Sequence, residues 1–121
     1  MKGYKMANNE TCTWIGASGK KYTYYIWPRH PNIKTGEVGN YIYTKKSSQG
    51  LWVPVYIGQG DLSVRCTTNH HQIECINNKG ATNIHLHLNS REEYRLSEEK
   101  DLLLRYTNAY APGGCNIKKG G

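Results

Sequence analysis

Phenylalanine is absent from this chain of 121 residues, and methionine and proline are scarce, at two and four copies. With only 37% apolar residues, ten Tyr and three Trp have to supply much of the core. Each buried ring then needs a partner for its hydroxyl or indole N–H. No apolar run approaches the roughly 18 residues of a membrane-crossing helix. Met1 to Glu10 is polar and lacks the apolar stretch of an export signal. A cytoplasmic protein is therefore expected, with Cys12, Cys66, Cys75 and Cys115 as reduced thiols.

What is present is positive charge. Sixteen basic against nine acidic residues give a net charge of +7. Such a surface suits a polyanionic partner such as nucleic acid, although it also serves plain solubility. The length fits one domain.

Residues 1–20 read as a loose leader ending in the turn-like Ala17-Ser18-Gly19, residues 21–117 as the domain and 118–121 as a basic tail. Lys21 to Trp27 reads as a strand, and Tyr41 to Thr44 pairs with Trp52 to Ile57 in a hairpin. Pro54 places the start of the second arm at a sheet edge or a bulge. Gly58-Gln59-Gly60 breaks that strand, and Asp61 caps a helix running towards Ile73. Asn83 to Leu88 alternates, with Ile84, Leu86 and Leu88 on one face and His85 and His87 on the other. Ser90 and Glu93 read as a capping box opening a helix to about Tyr106. This order of elements predicts a small α+β domain.

In that last helix Leu96, Glu99, Leu103 and Tyr106 share one face, and Glu98 and Asp101 point elsewhere. A carboxylate among apolar neighbours needs a compensating partner. For Glu99 this is either a salt bridge, for example to Arg95, or a catalytic or metal-binding role.

Around Glu99 an ordered series can be traced: Gly39-Asn40-Tyr41, Tyr56-Ile57-Gly58, Arg65 seven residues later, Glu99, and Pro112-Gly113-Gly114-Cys115-Asn116. From Gly39 to Asn116 the series resembles the GIY-YIG endonuclease superfamily. The resemblance implies a three-stranded antiparallel sheet flanked by helices, here with an extra N-terminal strand or extension. It further implies cleavage of a phosphodiester by water with one Mg²⁺ or Mn²⁺ ion. Tyr41 and Tyr56 would be the motif tyrosines, Arg65 the phosphate-binding arginine, Glu99 the metal ligand and Asn116 the late asparagine. Asn40 departs from the usual Ile of the first triplet, and the hairpin is longer than usual. Asn69 stands four residues after Arg65, where the family often has His or Tyr. Either the helix distorts, or His70 or His71 reaches in from its end to replace that group, with His70 favoured, or the role is missing. On an ideal helix His70 lies about 140° from Arg65.

Lys45, Lys46, Asn69 and Asn116 are expected to contact substrate, with DNA favoured over RNA and a homodimer as one route to double-strand cutting. Cys66, His70, His71 and Cys75 have plausible zinc-ligand spacings, but on one helix the two cysteines point about 180° apart. A different class of function is a non-catalytic nucleic-acid-binding module using Tyr22, Tyr24, Trp27 and the lysines at 45, 46, 118 and 119. A protein-interaction scaffold is a third.

Overall fold

The computed structural model describes residues 10–118. Five strands, β1 (Thr11–Ile15), β2 (Lys21–Pro28), β3 (Val38–Lys46), β4 (Trp52–Asp61) and β5 (Asn83–Leu88), form one antiparallel sheet ordered β1-β2-β5-β3-β4. The expected three-stranded sheet is thus corrected to five strands. β5 is inserted between the β1–β2 and β3–β4 hairpins and pairs with β2 and β3. β1 lies inside the segment read as a loose leader and pairs with β2 from Thr11↔Tyr25 to Ile15↔Lys21.

Helices α1 (Leu62–Arg65) and α2 (Ile73–Asn78) pack against one sheet face, and α3 (Glu92–Arg105) against the other. On the first side Trp27, Tyr41, Tyr43, Ile84 and Leu86 meet Leu62 and Ile76. On the second, Trp14, Tyr24, Ile42 and Ile57 meet Leu102. Buried between both layers, β3 loses the one-sided alternation of a surface strand. Among the described residues no helix is long and apolar enough to cross a membrane.

Pro54 sits where expected, on an edge strand, and the register with β3 shifts between Tyr43 and Thr44. Gly58-Gln59-Gly60 does not end β4, which runs on to Asp61 with Gly60 at φ +136°. Asp61 caps α1 through Ser63, but that helix stops at Arg65, and α2 begins only at Ile73. Nor is Ser90 the cap of α3. The helix starts at Glu92 after Arg91, whose N–H is bound by the Asn89 side chain.

The buried stripe of α3 is Arg95, Glu98 and Leu102, one position off the expected apolar face. Its polar members are accommodated by partners. Glu98 accepts from the Tyr24 hydroxyl and meets His87 Nδ1 at 2.9 Å. Arg95 donates to the Gln59 side chain and the Asn89 carbonyl. Asn40, the departure within the first triplet, donates to the Arg95 carbonyl at 2.9 Å and so ties α3 to β3. Ser18 and Tyr22 hold the β1–β2 hairpin to Asp101 on the same helix.

Cys75 and Cys115 form a disulfide, which corrects the expectation of four reduced thiols; Cys12 and Cys66 are free. It joins α2 to the C-terminal segment that covers the exposed edge of β4. There Cys115 N–H donates to the Val55 carbonyl at 2.8 Å. The bond closes a loop across 40 positions, so its reduction is expected to lower unfolding stability by roughly 3–4 kcal/mol. Urea unfolding with and without a thiol reductant measures this, with Cys75→Ser as the unreducible comparison.

Candidate active site

Register places the two motif tyrosines. Tyr43 pairs with Tyr56 and Tyr41 with Gly58, so both rings and Gly58 occupy the sheet face covered by α1 and α2. The Tyr41 and Tyr56 rings stack with centroids 6.0 Å apart. Gly58 makes this possible, because a Cβ there would lie 2.5 Å from both Cζ and Oη of Tyr41. Gly60 performs a similar service for Arg65, whose Nε would lie 3.1 Å from a Cβ at that position.

The early stop of α1 brings His70 to Tyr41. Freed from helical geometry, residues 66–72 turn back, and His70 Nε2 lies 2.8 Å from the Tyr41 hydroxyl. The Gln72 N–H donates to His70 Nδ1 at 2.9 Å. That bond fixes the tautomer: Nδ1 is the acceptor, so Nε2 carries the hydrogen and donates to Tyr41 Oη. Burial, with help from His71 and Arg65, pushes His70 down to about 4, so the ring is neutral at physiological pH. Burial also pushes the Tyr41 phenol well above its ordinary value, reinforced by Tyr56, while the Arg65 charge pulls it back. The Tyr56 phenol is raised by burial and by the Glu99 carboxylate, and lowered by Arg65 and by a hydrogen bond from Tyr41.

All of these groups but the buried His70 open onto a pocket of about 920 Å³ at the β4 edge. Tyr41, Tyr56, Arg65 and His71 line it from the α1–α2 side, and Glu99 and Lys100 from α3 on the other. Because β4 is the last strand, groups from opposite sheet faces can meet around it. Glu99 borders the pocket and is half-buried, and its neighbour Glu98 lies on the buried side of α3, bonded to Tyr24 and His87. Arg95, the alternative partner for Glu99, directs its guanidinium to Gln59 and Asn89.

The expected substrate contacts fare differently. Asn116 borders the pocket, but its amide accepts from Ile57 N–H and donates to Ile57 C=O, each at 2.9 Å. It therefore acts as a clamp on the strand carrying Tyr56 rather than as a free donor. Lys45 bonds the Lys79 carbonyl and Lys46 lies over Trp52, at the far end of the hairpin. Asn69 is exposed in the turn after α1 and does not line the pocket. Tyr24 and Trp27 are buried, which removes them as stacking surfaces for a binding module, and Lys119 lies outside the described residues. His85 is also buried, on the central strand, with Nδ1 accepting from Trp14.

Lys100 and Tyr110 also line the pocket and were not anticipated. Lys100 had a signal in the sequence, since Leu96, Lys100 and Leu104 follow at four-residue steps along the flank of the Leu96–Glu99–Leu103 face.

The two buried imidazoles give the fold an acid limit. Burial pushes His85 down to about 3, as it does His70 to about 4. Below the unfolded value near 6.5, the unfolded chain takes up protons that the folded chain refuses. Stability is therefore complete above about pH 6.5 and falls as the pH drops towards 4, by roughly 2–3 kcal/mol per histidine at pH 4.5. Denaturant unfolding at pH 7 and 4.5 checks this, and His85→Gln should flatten the slope.

No protein-family model, curated protein or solved structure matches this chain.

Proposed function

We propose that the chain is a metal-dependent endonuclease of GIY-YIG type, hydrolysing phosphodiester bonds in nucleic acid, with DNA favoured over RNA. The observation that carries this reading is the meeting of Tyr41, Tyr56, Arg65 and Glu99 at one pocket, with His70 behind Tyr41. They come from two strands, a short helix, a turn and a helix on the opposite sheet face. Ordinary core packing does not require that particular set of polar groups.

The donor set suits Mg²⁺ or Mn²⁺. Glu99 offers one hard carboxylate, and such an ion keeps several waters and takes phosphate oxygens. Bound there, the ion would polarise the phosphoryl group and stabilise the leaving oxygen. Among the described residues no group of three His, Cys, Asp or Glu could enclose a metal by itself, so the ion is expected to arrive with substrate. Arg65 presents its planar fork to the phosphate as charge grows in the transition state. Tyr41 holds its proton in the resting site and orients the attacking water. His70 Nε2–H would hold the Tyr41 oxygen in place, while the water's proton passes to bulk solvent as its oxygen bonds to phosphorus and the leaving oxygen departs.

A cytoplasmic location remains part of the proposal, and the Cys75–Cys115 bond weighs against it because cytosolic reductants keep most thiols reduced. A homodimer would supply the second cut of a double-strand break.

Supercoiled plasmid tests the proposal. Nicking with Mg²⁺ or Mn²⁺, abolished by chelator and restored by added metal, is the expected result. A folded protein that binds the plasmid without cutting it, whatever the metal, would leave the binding-module reading in its place.

A further inference from the structure

The pocket is larger than the reaction needs, and its chemistry is divided. Its polar part lies around Tyr56, Arg65, Glu99 and Lys100. Beyond Glu99, one turn further along α3, Leu103 and Leu104 line the same pocket as Tyr110 and Ile117 of the C-terminal segment. A helical turn is about 5.4 Å, so this apolar end is within one nucleotide of the place where an ion held by Glu99 would take a phosphate oxygen. Leu104 is 63% exposed and Ile117 67% exposed, although larger core residues are well buried. A sugar–phosphate backbone gives such a wall nothing to bury, whereas the flat face of a base does.

We propose that the apolar end of the pocket seats one unstacked nucleobase beside the scissile phosphate, so that single-stranded or locally opened nucleic acid is taken in preference to intact duplex. The inference rests on the nuclease reading of the same pocket. Charge complementarity selects this occupant over an apolar protein segment. Arg65 and Lys100 stand at the polar end, and Lys118 lies over the Tyr110 ring at 5.3 Å. The base arrives attached to an anion, and the cations are placed for that anion. In a stacked duplex the base faces are covered by their neighbours, so a phosphate docked at Arg65 and the ion on Glu99 could present only base edges to Leu104 and Ile117. An unpaired nucleotide can turn its face to them at much lower cost.

The test is fluorescence anisotropy in chelator, which prevents cutting, with three labelled probes of equal length. These are a single strand, a blunt duplex, and a strand of abasic linkers that keeps the phosphates and removes the bases. The single strand is expected to bind about tenfold tighter than the abasic strand, a typical effect of one base contact, and tighter than the duplex. Leu104→Ser with Ile117→Ser should erase the preference over the abasic strand while leaving duplex affinity within about twofold. Both positions are exposed, and the abasic probe needs no variant at all. Equal affinity for all three probes would overturn the base seat and leave the nuclease reading standing. Absence of binding to every probe, both in chelator and with Ca²⁺ in its place, would overturn both. A concentration-dependent dimer lost in the double variant would show that a second copy covers this face, and would also overturn the base seat.

Discussion

Replacing Glu99 by Gln is expected to lower the rate of metal-dependent cleavage by about 10³-fold or more while leaving the fold unchanged. The substitution keeps the shape of the side chain and removes its charge. Glu99 is half-buried at the pocket wall, so its loss opens no core cavity. Two consequences should appear together. Any residual cutting should need a higher concentration of divalent ion, because the hard anionic ligand has gone. Affinity for nucleic acid in chelator should hold or rise, because a negative charge has been removed beside a phosphate site. A fall of 10³ in rate corresponds to about 4 kcal/mol of transition-state stabilisation. The adjacent Glu98→Gln has a different signature. It disturbs the buried contacts to Tyr24 and His87, so it should reduce stability first and activity only through it.

The second large effect is expected at Gly58. A methyl group at this position would sit 2.5 Å from the Tyr41 ring tip. The ring has little freedom to move away: it is buried, packed edge-on against Tyr43 and bonded to His70. Gly58→Ala therefore forces Tyr41 off His70, combining overpacking with a lost buried hydrogen bond. About 2–4 kcal/mol of stability should be lost, together with nearly all cleavage. Denaturant unfolding measures the first, and cleavage at a temperature where the variant remains folded measures the second. Gly50, with φ +79° and nothing within 4 Å of its would-be Cβ, provides a contrast. Substitution there should cost only turn strain, with cleavage intact.

The sequence was most legible where a local signal and the tertiary structure agree. The β5 strand, the β3–β4 hairpin and the Asp61 cap are local signals, and all three are in the structure. Burial along β5 does not alternate, however: His85 is buried beside Ile84 and Leu86, and Leu88 is exposed. The α3 face was read one position off because its buried members, Arg95 and Glu98, are charged. Hydrophobic periodicity cannot register a polar residue that is buried with its partners. The joining of five strands into one sheet was also hidden, since β5 pairs with β2 across some sixty positions of sequence. The short apolar pattern of Thr11 to Ile15 does not announce that it will be paired.

At the site, residue types were legible and roles only in part. His70, preferred to His71 as the replacement for the group missing at Asn69, lies off the ideal helical face and reaches Tyr41 because α1 ends after one turn. Asn116 was found by its place in the motif, yet its amide is spent on Ile57. Lys45 and Lys46 were drawn in by charge alone and lie at the wrong end of the hairpin. The disulfide depends on α2 and the C-terminal segment meeting at a Cα–Cα distance of 5.9 Å, which no spacing rule predicts.

The most direct test of the central claim is single-turnover cleavage of one labelled oligonucleotide by wild-type protein, Glu99→Gln and Tyr41→Phe side by side in Mn²⁺, each confirmed folded. Cutting by the wild type, with both variants slowed by two orders of magnitude or more, is the result this account predicts. Cutting that persists undiminished in both variants would place the chemistry elsewhere and contradict it.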